Sequence, residues 1–155
     1  MDFGKIFYAL TIVLDSFLIF AIGLKLVDPR NSLRTSKFWL AIGIFSTLIL
    51  FERFILNESL AQLMGIVNLG LYLVFFLVVA DGSMKRKYLA YLIMIVTLIA
   101  SEIVAGVGYS FFTGFDLGKQ LTDFTIRAQI TLLANVVKFV VLVIVIRWKV
   151  RALER

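Results

Sequence analysis

Residues 124–146 read FTIRAQITLLANVVKFVVLVIVI, a run with two basic residues, Arg127 and Lys138, and no acidic one. A helix rises about 1.5 Å per residue, so roughly 20 apolar residues cross the ~30 Å hydrocarbon core of a bilayer. This run is long enough. Asn135 and Lys138, three apart, fall on one helical face, with Arg127 and Thr131 further along a similar stripe. Ionisable groups inside a membrane span are expensive and face a bundle interior, a water-filled cavity or each other. The stretch therefore specifies a polytopic all-α membrane bundle with a polar layer inside it.

Four more runs of the same kind precede it, near 3–26, 38–56, 60–80 and 88–112. With 124–146 they predict five transmembrane helices forming one helical domain over residues 1–155. Composition agrees, since 61% of residues are hydrophobic, 17% are charged and the mean hydropathy is +1.00. A soluble domain keeps nearer half its residues apolar and a quarter charged, so this excess belongs in lipid. The connections carry matching punctuation. Asp28-Pro29-Arg30-Asn31-Ser32 separates the first two runs and holds the single proline. Ser59 and Gln62 form a capping-box pattern at the third, and Gly82 in Asp81-Gly82-Ser83 suits the left-handed residue that closes a helix. Thr122 or Asp123 is a candidate cap for the fifth. The first run has Asp2 ahead of any basic residue, Asp15 within it and no convincing small-residue cleavage site, so it is read as a retained helix.

Basic residues orient the bundle. Lys25, Arg30, Arg34 and Lys37, then Lys85, Arg86 and Lys87, then Arg147, Lys149, Arg151 and Arg155 gather on one side. The other side holds Lys5, Lys119 and Arg127 beside Asp2, Glu58, Asp116 and Asp123. The positive-inside rule puts the N-terminus outside and the C-terminus in the cytoplasm, as an odd number of spans requires. Trp39, Tyr88, Tyr91 and Trp148 then form the inner aromatic belt, and Tyr8, Tyr109, Phe111 and Phe112 the outer one. This accounts for the net charge of +6 without nucleic acid, although the basic loops would equally recruit anionic lipid or an acidic partner.

The polar layer comprises Asp15, Glu52, Arg53, Glu102 and Lys138. Helical rise counted from the cytoplasmic ends places Asp15 level with Lys138, and Arg53 level with Glu102. Asp15–Lys138 and Arg53–Glu102 pairs are expected, with Glu52 competing for Arg53 and with Asn68 and Asn135 as hydrogen-bonding links between them. Glu102, Ala105, Gly106 and Tyr109 share a face of the fourth helix, where small residues permit either close helix approach or room for a ligand. Such pairs either hold helices in register or line a functional cavity.

The order Glu102-Ile103-Val104-Ala105-Gly106, then Gly114 and Asp116-Leu117, then Arg127, then Asn135-Val136-Val137-Lys138-Phe139 and a basic end at Arg147 resembles the membrane sensor region of AgrC-like quorum-sensing histidine kinases of Gram-positive bacteria. The resemblance covers roughly the second half of the chain. The first three spans match only in spacing and hydrophobicity. It implies a polytopic receptor for a secreted peptide on the outer side, with Glu102, Arg127 and Lys138 at the matching polar positions. Such kinases continue into a histidine-bearing dimerisation helix and an ATP-binding domain. This sequence has no histidine, so it would be a separated sensor or regulator.

No cysteine, histidine or catalytic motif is present, which disfavours soft-metal, redox and enzymatic chemistry, and no cofactor is expected. The leading reading is a membrane sensor or regulatory module. Its expected partners are membrane lipids, a peptide or lipid-like ligand, and a cytoplasmic signalling partner or a second copy of the chain. The outer segment with Phe111, Phe112, Phe115 and Asp116 would dock an apolar peptide, or serve only as an interfacial anchor and turn. The alternatives are a small transporter or channel component using the mid-membrane charges, and an accessory subunit packing through Gly65, Gly70, Gly106 and Gly108.

Overall fold

The structure is a computed structural model and describes residues 3–27, 35–55, 58–114 and 123–153, with side chains described outside 58–65 and 149–153. Five helices follow in order: α1 (Phe3–Val27), α2 (Ser36–Ile55), α3 (Glu58–Val79), α4 (Met84–Thr113) and α5 (Phe124–Leu153). α1, α2, α4 and α5 are each long and apolar enough to cross a membrane. In α3 the described apolar stretch, Ile66–Val79, is shorter. The architecture is that of a helical membrane bundle.

Side-chain contacts fix the topology. Tyr8 meets Phe54 near one end of the α1–α2 pair, and Phe17 meets Trp39 further along, so these helices run antiparallel. α5 instead runs parallel to α1, since Thr11 contacts Asn135, Asp15 contacts Lys138, and Leu18 and Ala21 pack with Leu142. α1 is the centre of the bundle. Two-thirds of its most apolar window is buried, against one-third for α2, α4 and α5.

One half of the bundle is dry. Phe20, Phe38, Phe45, Phe76 and Met94 have no exposed surface and pack with Leu24, Tyr72 and Ala90 from four helices. Gly23 sits where any side chain would collide with Met94 and Phe76, so its lack of a Cβ sets the closest approach of α1 to its neighbours.

The helix ends follow recognisable chemistry. Asp123 Oδ1 accepts the backbone N–H of Thr125 at 2.8 Å and of Ile126 at 3.4 Å, which caps α5. Gly82 has φ +131°, as the turn after α3 requires. Gly114, in the left-handed region at φ 65°, closes α4 with its N–H on Ser110 O. The Ser59–Gln62 pattern lies outside the described side chains. Three helices extend beyond the apolar runs. α2 begins at Ser36, α4 takes in Lys85, Arg86 and Lys87, and α5 continues through the basic segment to Leu153. Nothing between 147 and 153 breaks a helix, so hydrogen bonding propagates past the apolar limit. Lys87 Nζ donates to Leu77 O at 2.9 Å, satisfying one of the last carbonyls of α3.

Candidate functional site

The other half of the bundle encloses polar groups. α1 presents Tyr8, Ile12 and Asp15 at i, i+4 and i+7 spacing, and α3 presents Asn68 and Tyr72 four residues apart. Together with Glu52 and Arg53 of α2, Glu102 of α4 and Thr131 of α5 they line a cavity of about 400 Å³. Its remaining wall is apolar, from residues such as Ile49 and Leu98. The volume lies in the range of small-molecule sites, roughly 300–1,000 Å³.

Lys138 is fully buried, and its ammonium donates to Asp15 of α1 and, at 3.2 Å, to Glu102 of α4. The Asp15 side chain is 12% exposed and that of Glu102 42%, so one cation links an enclosed carboxylate and a more open one. Beside it, Asn135 donates from Nδ2 to Thr11 O at 3.0 Å, a second tie between α5 and α1. On the opposite wall, Asn68 Nδ2 donates to Glu52 Oε2, joining α3 to α2. Glu52 is buried, yet its ion pair is long, with Arg53 Nε 4.0 Å from Oε1 on a side chain that is 46% exposed. Adjacent residues on a helix point about 100° apart, which explains why Glu52 faces inward while Arg53 reaches only the rim.

Aromatic groups bound the polar layer. Toward the start of α1, Tyr8, Phe54 and Phe124 pack together, with Phe54 and Phe124 stacked at 5.0 Å. Lys5 and Arg127 lie over the Phe124 ring at 5.5 and 5.6 Å, within cation–π range. Toward the dry half, Phe20, Phe45 and Tyr72 form a second cluster.

The structure thus brings Asp15, Glu52, Arg53, Asn68 and Glu102 to one cavity and sets Lys138 and Asn135 at its side. The expected Arg53–Glu102 pair is replaced. Glu102 takes Lys138, whose ammonium has three donors on a flexible stem and reaches two carboxylates, while Arg53 stays with its neighbour Glu52. Asn68 and Asn135 do form interhelical links, though to Glu52 and to a backbone carbonyl rather than from pair to pair.

Tyr8, expected in the outer aromatic belt, is buried at the cavity. Tyr72 escaped the sequence reading, although its spacing from Asn68 marks the shared face. Ala105 is buried against Ile130 and Ala134, and Tyr109 Oη donates to Gln129 Oε1, so the small residues after Glu102 serve close α4–α5 packing. Phe111 and Phe112 are exposed at the end of α4, whereas Phe115 and Asp116 lie outside the described residues. Gly70 and Gly108 have open space where a Cβ would stand, and the Gly65 position is outside the described side chains.

Chemically, the site offers acceptors in excess of donors, apolar walls and no assembled metal-ligand set among the described residues. Comparison with known proteins adds no constraint: no family model, curated protein or solved structure matches this chain.

Proposed function

We propose that this chain is a non-enzymatic sensor or regulatory module of the cell membrane, in which a ligand in the polar cavity alters the hold of α1 and α4 on α5. The observation that carries this reading is Lys138. A fully buried ammonium from α5 is shared between two carboxylates on other helices, and both carboxylates line the cavity. Any ligand that competes for Asp15 or Glu102 weakens the tether of the helix that continues through Arg147, Trp148, Lys149 and Arg151. In this reading all five helices span the membrane, with the N-terminus outside and the basic end of α5 meeting a cytoplasmic partner. The AgrC-like resemblance supports a receptor for an extracellular ligand. The exposed Phe111 and Phe112 suit an apolar peptide or lipid approaching from outside.

The chain has no cysteine, which makes site-directed labelling clean. Spin labels at Leu40→Cys and Arg147→Cys, both exposed positions, report the α2–α5 distance in nanodiscs. Replacing Lys138 by Met shifts that distance distribution if the tether sets the position of α5. An unchanged distribution in a folded Lys138→Met protein would sink the sensor reading.

A second reading is supported by the three carboxylates at one cavity, which suit a transporter component that carries cations or protons. Cation or proton flux in proteoliposomes that disappears in Glu102→Gln would favour it over a sensor. An accessory subunit, packing through the open faces at Gly70 and Gly108, would instead lose stability when separated from its complex.

A further inference from the structure

The two walls of the cavity are unequally neutralised. Asp15, Glu52 and Glu102 contribute three carboxylates, and among the described residues the cations that form ion pairs with them are Lys138 and Arg53. Lys138 is committed to Asp15 and Glu102. Arg127, over the Phe124 ring, is a further cation at the Tyr8 end of the cavity. Glu52, whose side chain is only 6% exposed, takes its close hydrogen bond from the neutral Asn68 amide, and its ion pair is the long one to the half-exposed Arg53 guanidinium. A buried carboxylate whose one close partner is neutral is costly unless a cation comes nearer.

The adjacent residue has the same deficit. Asn68 is 5% exposed, and with Nδ2 spent on Glu52 its Oδ1 has no hydrogen-bond partner among the described residues. An anionic acceptor and a neutral acceptor therefore sit side by side, the carboxylate at the cavity and the amide oxygen closed off beside it. A primary ammonium, with three donors and a positive charge, satisfies the carboxylate, whereas an anion adds repulsion and a lone hydroxyl leaves the charge uncompensated. The rest of the cavity fits an organic body better than a bare ion. Ile49, Leu69 and Leu98 present half-buried apolar side chains, and the volume holds far more than one ion with a few waters.

We propose that the cavity binds a small organic monocation, a primary ammonium on an apolar or aromatic body, with its charge at Glu52 and its body against Ile49 and Leu98. This goes beyond the sensor reading: it rests on the same cavity, but on the α2–α3 wall opposite the Lys138 tether. It also assigns Arg53 a role, because its guanidinium occupies the position the ligand's charge would take and so competes with it.

The test uses the full chain in nanodiscs, with phenethylammonium as probe and phenethyl alcohol, phenylacetate and sodium chloride as controls, read by calorimetry and by thermal stabilisation. Saturable binding of phenethylammonium alone is expected. Glu52→Gln, which keeps the amide partner of Asn68, weakens it by about tenfold or more, as expected for loss of a charge-assisted contact. Arg53→Gln tightens it severalfold, and since this side chain is half-exposed the variant keeps its fold. The opposite signs guard against a merely damaged protein. Equal binding of the alcohol or the carboxylate, stabilisation by sodium ion alone, no saturable binding at millimolar concentrations, or an Arg53→Gln protein that binds no better would each overturn the proposal. Failure here is distinguishable from failure of the sensor reading. Ammonium binding with an immobile α5 leaves the ligand class standing and removes the sensor, and a shifted α5 without ammonium binding does the reverse.

Discussion

The two halves of α1 are held in place by different physics. From Tyr8 to Asp15 the helix meets its neighbours through an ion pair, a backbone-directed amide and a cavity. From Ser16 to Val27 it meets them through rings, a methionine and aliphatic side chains, buried at the centre and half-buried around it. In lipid, apolar side chains gain little by leaving one hydrocarbon environment for another, so the dry half depends on fit and dispersion. The polar half depends on who is paired with whom. A mismatch there leaves a charge without a partner, whereas a mismatch in the dry half leaves a gap or a clash.

Substitutions sharpen this contrast, beginning with the largest effect. Lys138→Met strands two carboxylates and is expected to cost about 3–5 kcal/mol in reversible unfolding in mixed micelles. Adding Asp15→Leu to it should recover part of that loss, and no recovery would mean that Lys138 acts through something other than its charge. In the dry half, Gly23→Ala forces a methyl into Met94 and Phe76 and should cost about 1–3 kcal/mol. If both substitutions proved equally mild, the division of the bundle into a paired half and a packed half would not hold. Asp123→Ala removes the cap of α5 and should cost about 1 kcal/mol, visible as earlier amide exchange at Thr125 and Ile126. Gly108→Ala, facing open space, should stay within about 0.5 kcal/mol of the parent in the same assay. A large loss at Gly108 would place a partner on that face.

The polar layer was legible in the sequence because charges in apolar runs stand out, and because helical rise is regular enough to match levels. Asp15 and Lys138 pair as that arithmetic places them. Levels say nothing of azimuth, however, and azimuth decided the second pair. Glu52 and Arg53 are neighbours in the chain and share a level, yet one faces Asn68 and the other the rim. Tyr8 shows the complementary blind spot. An aromatic ring near a span end fits an interfacial belt, and only its spacing from Ile12 and Asp15 gives away the cavity face. The helix ends at Ser36, Met84 and Leu153 were hidden for a related reason. Hydropathy marks where lipid stops, and backbone hydrogen bonding continues as long as the residues permit it.

Lys138 also has a consequence for how the protein is made. Its partner Asp15 lies 123 residues earlier in the chain, on α1, which is made before α5. The fifth helix therefore carries a charge that lipid tolerates poorly until α1 is beside it. The earlier helices must wait in the bilayer, with Asp15 and Glu102 unneutralised by this lysine, until α5 arrives. Neutralisation of both carboxylates is thus one event that waits for α5, and chains stalled before it would expose bare carboxylates to the machinery that clears unfinished membrane proteins.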